Sequence, residues 1–558
     1  MILEELLHFF ILPIVIGILG GFAAYIFRIL IRFFTSVYET LDLVHSVDLY
    51  FVSMPLVFWG SYRLIHAFLR DHGNVTIDEI AKKISLLSGR FSFVKGFLVL
   101  FLTSVSIGFG VPIGREGPIA KLGGLLSEVF LRAFKVQRIN LPIYLSAGVS
   151  SALAATFNAP IAGVIFGIEI IIGRINSYIL IPLVVACATS TMIAREFIGD
   201  YTAFYVPPLH YTHDYFFYVP VAAVFFALIA ITLNYSLKHF LKLRFRYRRH
   251  WSLVVVVLGV IVACFIVMTP QIRGVGYEAV NQIFVAGYRP SEAFDIMASK
   301  LFAVILSIGS GIFGGLMSPS IFIGAFGGYW FGSEVMAWHS GIDPRVFALI
   351  GSAAMLAGIS RAPLRSAVII TELTHSYQLL LPMLITTAIT AYLLAKTQAG
   401  SYFKRSLLQK GIDIEDPGVV RFLERCDLKS FLDNVPAVSP EESLKKIMKI
   451  FRRSHSNYLP VVDKSGHLVG VLSLRDVRKS RLLHQRKFKV KELMSTHPFA
   501  IGENYTIENL YKALSILNAN HIPLVDAEGH YLGMINLNRL LKAMTLHQQG
   551  YRIRTLTG

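Results

Sequence analysis

Two short motifs have the residue types and spacing for anion chemistry: GREGP at 114–118 and GLMSP at 315–319. Each leads with glycine, carries proline four residues on, and has another glycine five residues past the proline, Gly123 and Gly324. Proline fits the first turn of a helix, where its missing N–H has no intrahelical partner to lose. Glycine ahead of it lets backbone amides approach a ligand closely. Both motifs are therefore predicted to open helices, and a helix N-terminus offers free amides and partial positive charge to a small anion. Arg115 and Glu116 sit at the first such terminus. A carboxylate there is itself an anion competing for the site, and it would leave on protonation. Glu116 is thus a candidate gate and proton carrier. The plainer reading is a carboxylate that only favours the helix dipole. Ionisable residues inside apolar, membrane-like segments point to function, which favours the gate.

The elements that must position these motifs repeat as well. The segment from Gly148 to Glu169 (GVSSALAATFNAPIAGVIFGIE) pairs with Gly351 to Glu372 (GSAAMLAGISRAPLRSAVIITE). Glycine to proline is 12 residues in both (160 − 148 and 363 − 351), and proline to glutamate is 9 (169 − 160 and 372 − 363). Two repeats in an apolar chain predict a transporter-like fold with its site at the repeat interface. Two N-termini meeting there would strip and hold a small anion without a full positive charge, which would bind too tightly for rapid release. Glu169 and Glu372 close the longer repeats. Symmetric placement reads as architecture for Glu372, while Glu169 stays open between a buried structural hydrogen bond and proton handling. Lys95, Lys121, Lys300, Arg174, Arg361 and Arg365 read as helix ends or as sources of a potential that attracts anions, rather than as direct ligands.

Of 558 residues 54% are hydrophobic and 16% charged, with mean hydropathy +0.58, where a soluble chain carries about 25% charged residues. Apolar runs at 9–30, 98–107, 141–172, 179–193, 216–233, 251–268 and 379–394 carry the shift. Several approach the roughly 20 residues that cross a bilayer core, and others are broken by Gly and Pro, which only protein or a watery cavity can accommodate. The net charge of +18 does not indicate nucleic-acid binding, because the cations gather in loops such as 238–249 and in the tail, as positive-inside topology requires. That basic loop is expected in the cytoplasm and the polar loop at 199–215 outside, so the first repeat crosses an odd number of times and the second runs inverted. Glu4 and Glu5 precede the first apolar run and no cleavage site follows it, which argues against a cleavable signal. Cys187, Cys264 and Cys426 are isolated, so neither disulfide framework nor metal site is expected. No nucleophile–base pattern and no Walker loop is present, so an enzyme is not expected.

Apolar character ends near Ala399. The reading divides the chain into a membrane domain at 1–403 (inverted repeats about 1–200 and 215–403), a linker at 404–434, two α/β modules at 435–486 and 487–546, and a tail at 547–558. The modules repeat too: SNYLPVVDKSGHLVGVLSLRD from 456 parallels NHIPLVDAEGHYLGMINLNR from 520.

GREGP, the FNAPIAG–IE block at 157–169, RGVGYEAV at 273–280, SGIFGGLMSP at 310–319 and SRAPLRSAVIITELT at 360–374 together resemble the CLC chloride channel and transporter family. The resemblance implies the CLC fold, a homodimer with one path per subunit, and chloride as substrate. By position Glu116 matches the external gating glutamate. The amides around Arg115 and Gly117 and those of Leu316 and Met317 match the anion-coordinating backbone. Several positions depart from the pattern. The best match to the family's GSGIP motif is DHGNV at 71–75, which puts His72 at the serine. The pore tyrosine falls at Tyr402 or Phe403, and spacing back from Leu407 favours Phe403. Met317 stands where the family has phenylalanine. The internal proton glutamate of coupled exchangers would follow Glu169, where this chain has Ile170. That leaves open an uncoupled channel, or an H⁺/Cl⁻ antiporter that loads protons through Glu169, His72 or water. Fluoride exporters replace the Arg-Glu pair that this chain keeps.

The C-terminal pair resembles tandem CBS modules. In nucleotide-binding pairs a Ser or Thr and an Asp hold ribose and phosphate, which in the first module are Ser473 and Asp476; the second has Asn536 and Arg539. The expectations are an adenine nucleotide there or a regulatory scaffold with no ligand, and no required cofactor. The protein is expected in the plasma (inner) membrane, with its N-terminus and CBS pair cytoplasmic. Its partners would be chloride, possible protons, the bilayer and a second copy, not nucleic acid. Two other classes compete: a CBS-linked divalent-cation transporter, which would need intramembrane Asp, Asn or Glu oxygens, and a membrane-tethered nucleotide sensor, which would leave the inverted repeats unexplained.

Overall fold

Glycine and proline cut the apolar sequence into helices at matching places in its two halves. In the computed structural model the described residues are 6–44, 49–69, 93–134, 141–172, 177–200, 203–209, 211–247 and 250–397, and in the C-terminal part 428–433, 435–454, 458–474, 477, 489–496, 500–502, 521–526, 528–536 and 539–540. The chain forms two compact units, Met1–Lys404 and Arg405–Gly558.

The membrane unit is helical. Its first half runs α1 (Leu12–Val44), α2 (Tyr50–Leu69), α3 (Phe93–Gly108), α4 (Glu116–Ala133), α5 (Leu141–Phe157), α6 (Pro160–Phe166, continued by a π-helical turn to Ile172) and α7 (Ser177–Ile198). The second half follows with α8 (Tyr215–Arg246), α9 (Trp251–Met268), the short α10 (Tyr277–Val285), α11 (Pro290–Ser310), α12 (Met317–Trp338), α13 (Pro344–Ser360), α14 (Pro363–Thr374) and α15 (Leu380–Ala395). From α3 and α11 onward the halves correspond helix for helix. Among the described residues six helical stretches are long and apolar enough to cross a membrane, at Leu7–Asp42, Ser177–Ile198, Tyr215–Arg244, Trp251–Met268, Pro290–Ser310 and Tyr377–Ala395. Shorter apolar helices, at Val94–Gly108, Leu141–Phe157, Pro160–Ile172 and Pro344–Ser360, lie between them, as a site built from broken helices requires.

The repeated residues do matched structural work. Asn158 and Arg361, each two residues before the helix-opening proline, both adopt φ 54°, and this left-handed residue separates α5 from α6 and α13 from α14. The repeated glycines meet in pairs. A Cβ on Gly123 would lie 2.3 Å from the Gly148 carbonyl oxygen, and one on Gly324 would lie 2.2 Å from that of Gly351. Only hydrogen fits at these two crossings, which bring α4 onto α5 and α12 onto α13.

The basic stretch at 238–249 was expected to be a loop. Most of it instead extends α8, which ends only at Arg246. Lys, Leu and Arg are good helix formers and no Gly or Pro interrupts them. Arg244 is buried, its guanidinium carbon 5.9 Å from the centre of the Tyr62 ring.

The second unit holds a four-stranded sheet in the order β1-β6-β5-β4 and a two-stranded sheet β2-β3, with β1 Leu432–Asp433, β2 Tyr458–Val462, β3 Leu468–Ser473, β4 Ile501–Gly502, β5 His521–Val525 and β6 Tyr531–Asn536. Hairpins β2-β3 and β5-β6 are copies of one another: Tyr458 pairs with Ser473, and His521 with Asn536. Each turn has an aspartate, Asp463 or Asp526, accepting from the amide four residues on, that of His467 or His530, at 3.0 and 2.8 Å. The two histidine rings stack with centres 4.3 Å apart. Residues 428–433, read as linker, supply a 3-10 turn and β1, which pairs antiparallel with β6.

Candidate anion pathway

Gly114 and Gly315 lie in near-identical turns, each followed by an N-cap residue in the right-handed region: Arg115 at φ −101°, ψ −4° and Leu316 at φ −104°, ψ −10°. The turns face one another. The Gly114 amide donates to the Gly315 carbonyl at 2.8 Å, and the Gly315 amide donates back at 2.7 Å. Helices α4 and α12 thus present their N-termini at one place, where first-turn amides have no intrahelical partners. Gly117, Leu316 and Met317, the positions expected to coordinate an anion, all lie there and are buried, with Arg115 half-buried at the edge.

Glu116 is fully buried. Its Oε1 accepts from the Ser318 amide at 2.9 Å and from the Ser318 hydroxyl. Its Oε2 has no hydrogen-bond partner. A Cβ on Gly114 or on Gly315 would strike Oε2, at 2.2 and 1.9 Å, so both glycines are required for the carboxylate to lie there. The carboxylate of one repeat therefore sits on the helix N-terminus of the other. Ser318 is the contact that sequence reasoning missed; only its place beside Pro319 in the second motif hinted at it. The Tyr277 hydroxyl lies 3.1 Å from the Ser318 hydroxyl, and the Arg115 guanidinium stacks 5.5 Å from the Tyr277 ring and 5.7 Å from the Phe157 ring.

Arg115 and Tyr277 also line a cavity of about 760 Å³. Its walls carry Arg28, Arg195 and Arg273 against Glu39 and Glu278. With Arg115, cations outnumber carboxylates, which draws anions toward the turns.

The closing glutamates have reciprocal contacts. Glu372 accepts from the amides of Ile161 (3.0 Å) and Ala162 (2.6 Å) in the first turn of α6. Glu169 accepts from the amide of Arg365 (3.2 Å) in the first turn of α14. Each repeat thus caps the proline-led helix of the other. Ile170, beside Glu169, is half-buried against the apolar core. Two of the cations read as helix ends or as sources of an attracting potential are fully buried, and only Lys300 lies away from a helix end. Lys300 is inside α11, fully buried, and donates to the carbonyls of Ile272 and Gly274, each at 2.7 Å. Arg365 is fully buried in the first turn of α14. His72, Tyr402, Phe403 and Asp476 lie outside the described residues. Ser473 closes β3. In the second module Asn536 and Arg539 are taken up by Asp433 of β1, at 2.8 and 3.5 Å.

The family model described as voltage gated chloride channel matches residues 55–396. The chain belongs to this family. Two CBS domains match residues 428–482 and 490–546. A putative chloride channel protein ClcB-like of Ralstonia nicotianae is 31% identical over 345 residues, covering 60% of this chain and 79% of that protein. The H(+)/Cl(-) exchange transporter ClcA of Vibrio cholerae is 27% identical over 379 residues, covering 65% and 79%. Among solved structures, a eukaryotic CLC transporter superposes with TM-score 0.72 at 18% identity over 96% of this chain and 98% of that one, a likeness of fold.

Proposed function

We propose that this integral membrane protein carries chloride through a path at the interface of its two repeats, with Glu116 as the gate. The observation that carries the reading is the Glu116 carboxylate lodged against the Ser318 amide at the start of α12. A chloride ion and an ionised carboxylate compete for one partial positive charge and one set of amides. Protonation removes the charge that holds Glu116 there, and the amides of Gly117, Leu316 and Met317 then take the anion. The partial charges of helix ends hold it without trapping it. The arginine-lined cavity feeds the path from the side that charge asymmetry places outside. The CBS pair and N-terminus then face the cytoplasm of a plasma or inner membrane, and the protein works as a homodimer.

Ile170 and Glu169 bear on proton coupling. With an aliphatic side chain at 170 and Glu169 engaged at α14, an inner proton relay through these two positions has no free carboxylate of the usual kind, which favours uncoupled flow. Chloride and proton fluxes measured together in liposomes holding the purified protein, beside Glu116→Ala, test both statements. Chloride flux that depends on Glu116 and drives no uphill proton movement is expected. Uphill proton movement would instead make the protein an exchanger, and absence of anion flux would overturn the reading. In the first CBS module, Ser473 with Asp476 is proposed to hold an adenine nucleotide. Isothermal titration with ATP against Ser473→Ala checks this, and equal heats in both proteins would refute it.

A further inference from the structure

Arg365 is a buried charge that this gate does not use. It is fully buried, and a guanidinium stays protonated at any physiological pH. Its carbon lies 5.3 Å from the centre of the Phe166 ring, and Nη1 lies 3.9 Å from the Met317 sulfur. Neither contact is an acceptor for a full charge. Nε and Nη2 have no hydrogen-bond partner, and among the described residues no carboxylate forms an ion pair with it. The carboxylates whose charges reach it are Glu169 and Glu116, but the first accepts from the backbone amide of Arg365 and the second from Ser318. An unpaired buried cation is strongly disfavoured unless something neutralises it.

The surroundings indicate what does. Arg365 opens onto a small internal cavity of about 10 Å³, walled by Phe157, Ala162, Phe166, Met317 and Ile369. That is on the order of the room one water-sized particle needs, and the Met317 thioether chain is a wall that yields easily to a slightly larger occupant. Met317 also stands at the N-terminus of α12, so the cavity adjoins the amides that take the anion. The symmetric residue in the first repeat, Ala162, lines the same cavity with a methyl group only. The guanidinium is thus an addition to the repeat scaffold, not a requirement of it.

We propose that Arg365 forms a second anion subsite, holding a halide-sized monovalent anion on its Nε and Nη2 groups beside Met317, inward of the Glu116 gate. The proposal rests on the anion-path reading. A fixed cation there raises the local anion concentration and disfavours a proton at the same place, so it acts in the same direction as the missing carboxylate at position 170.

The test uses the full chain crystallised in bromide, with anomalous scattering locating the ion, and halide stoichiometry from calorimetry. Bromide within hydrogen-bonding reach of Arg365, in addition to bromide at the Leu316 and Met317 amides, is expected. Arg365→Met should remove that peak and take the stoichiometry from two anions per chain to one, while Arg365→Lys retains both. Bromide at the α12 amides but none at Arg365 would overturn the proposal and leave the path itself intact. Bromide at neither place, with no chloride flux, would overturn both. An unchanged stoichiometry in Arg365→Met would also refute the subsite. If that variant does not fold, the wild-type and Arg365→Lys maps decide the matter.

Discussion

Ala162 and Arg365 hold one position in two repeats. Each lies two residues past the proline that opens its helix, and each donates its backbone amide to the closing glutamate of the other repeat. One side chain is a methyl and the other a guanidinium. Gly117 and Ser318 are related in the same way, each directly before the motif proline, and only Ser318 has a hydroxyl to hold Glu116. Backbone features thus follow the pseudo-symmetry: the paired glycine turns, the left-handed residues before each proline and the glycine crossings. Polar and charged side chains break it. A symmetric scaffold brings two helix ends together, and asymmetric side chains decide which charges lie between them.

Filling a glycine crossing should have the largest effect. Gly351→Val would place a Cβ 2.3 Å from the Gly324 carbonyl oxygen, and overpacking of this kind costs about 1–3 kcal/mol or more. A lowered unfolding midpoint in detergent and loss of monodisperse protein are expected. Gly123→Val should do the same in the first repeat, and a tolerated Gly123→Val would show that the crossings are not equivalent.

Glu372→Gln tests the reciprocal caps. The carboxylate satisfies two amides with two oxygens, and a carboxamide has one acceptor oxygen, so one buried amide is left unpaired at a cost of about 1–3 kcal/mol. The expected outcome is a lower thermal midpoint with the path still formed. No change in the midpoint would show that the cap contributes nothing to stability.

Ser318→Ala removes the hydroxyl from the second motif, which then has none, like Gly117 in the first. Glu116 keeps the amide and loses the hydroxyl. A bond of this kind to a charged group is worth about 1.5–3 kcal/mol, roughly a ten-fold or greater shift toward the open carboxylate. Chloride efflux at neutral pH should rise, and the pH that activates flux should move upward. Unchanged efflux would mean that the hydroxyl does not hold Glu116.

The smallest effect belongs to the second unit, where the hairpins are equally symmetric and again one carboxylate breaks the match. Burial raises the affinity of Asp433 for its proton, but His521, Asn536 and Arg539 outweigh this and hold its carboxyl below the usual range. A lowered folded value means stabilisation that is fully present above the ordinary carboxylate range and lost as pH falls through the lowered value. Acid unfolding of the CBS pair should therefore begin at higher pH in Asp433→Asn, and coincident acid transitions would refute this.

Much was legible without the fold. Motif spacing located both helix starts, the matched glycines and prolines, and Glu116 as the ionisable group at the first terminus. Composition separated membrane from soluble sequence. These features are local: the first turn of a helix, a left-handed residue before proline and a run of apolar residues depend on near neighbours in the chain. Less legible was the α8 extension, where a charge pattern suggested a loop and helix propensity decided otherwise. Similarly, β1 carries too few residues to signal a strand before β6 pairs with it.

Residues far apart in sequence were settled only by the tertiary structure. Glu116 and Ser318 are 202 positions apart, and Glu372 and Ala162 are 210 apart. A repeat pattern shows that two segments are alike, but not which end of one meets which end of the other. Inverted packing brings N-terminus to N-terminus, so that a carboxylate finds amides it never neighbours in the chain. The same packing, by surrounding Arg365 with Phe166, Met317 and the first repeat, turns a cation that reads as a helix end into a buried charge facing a cavity.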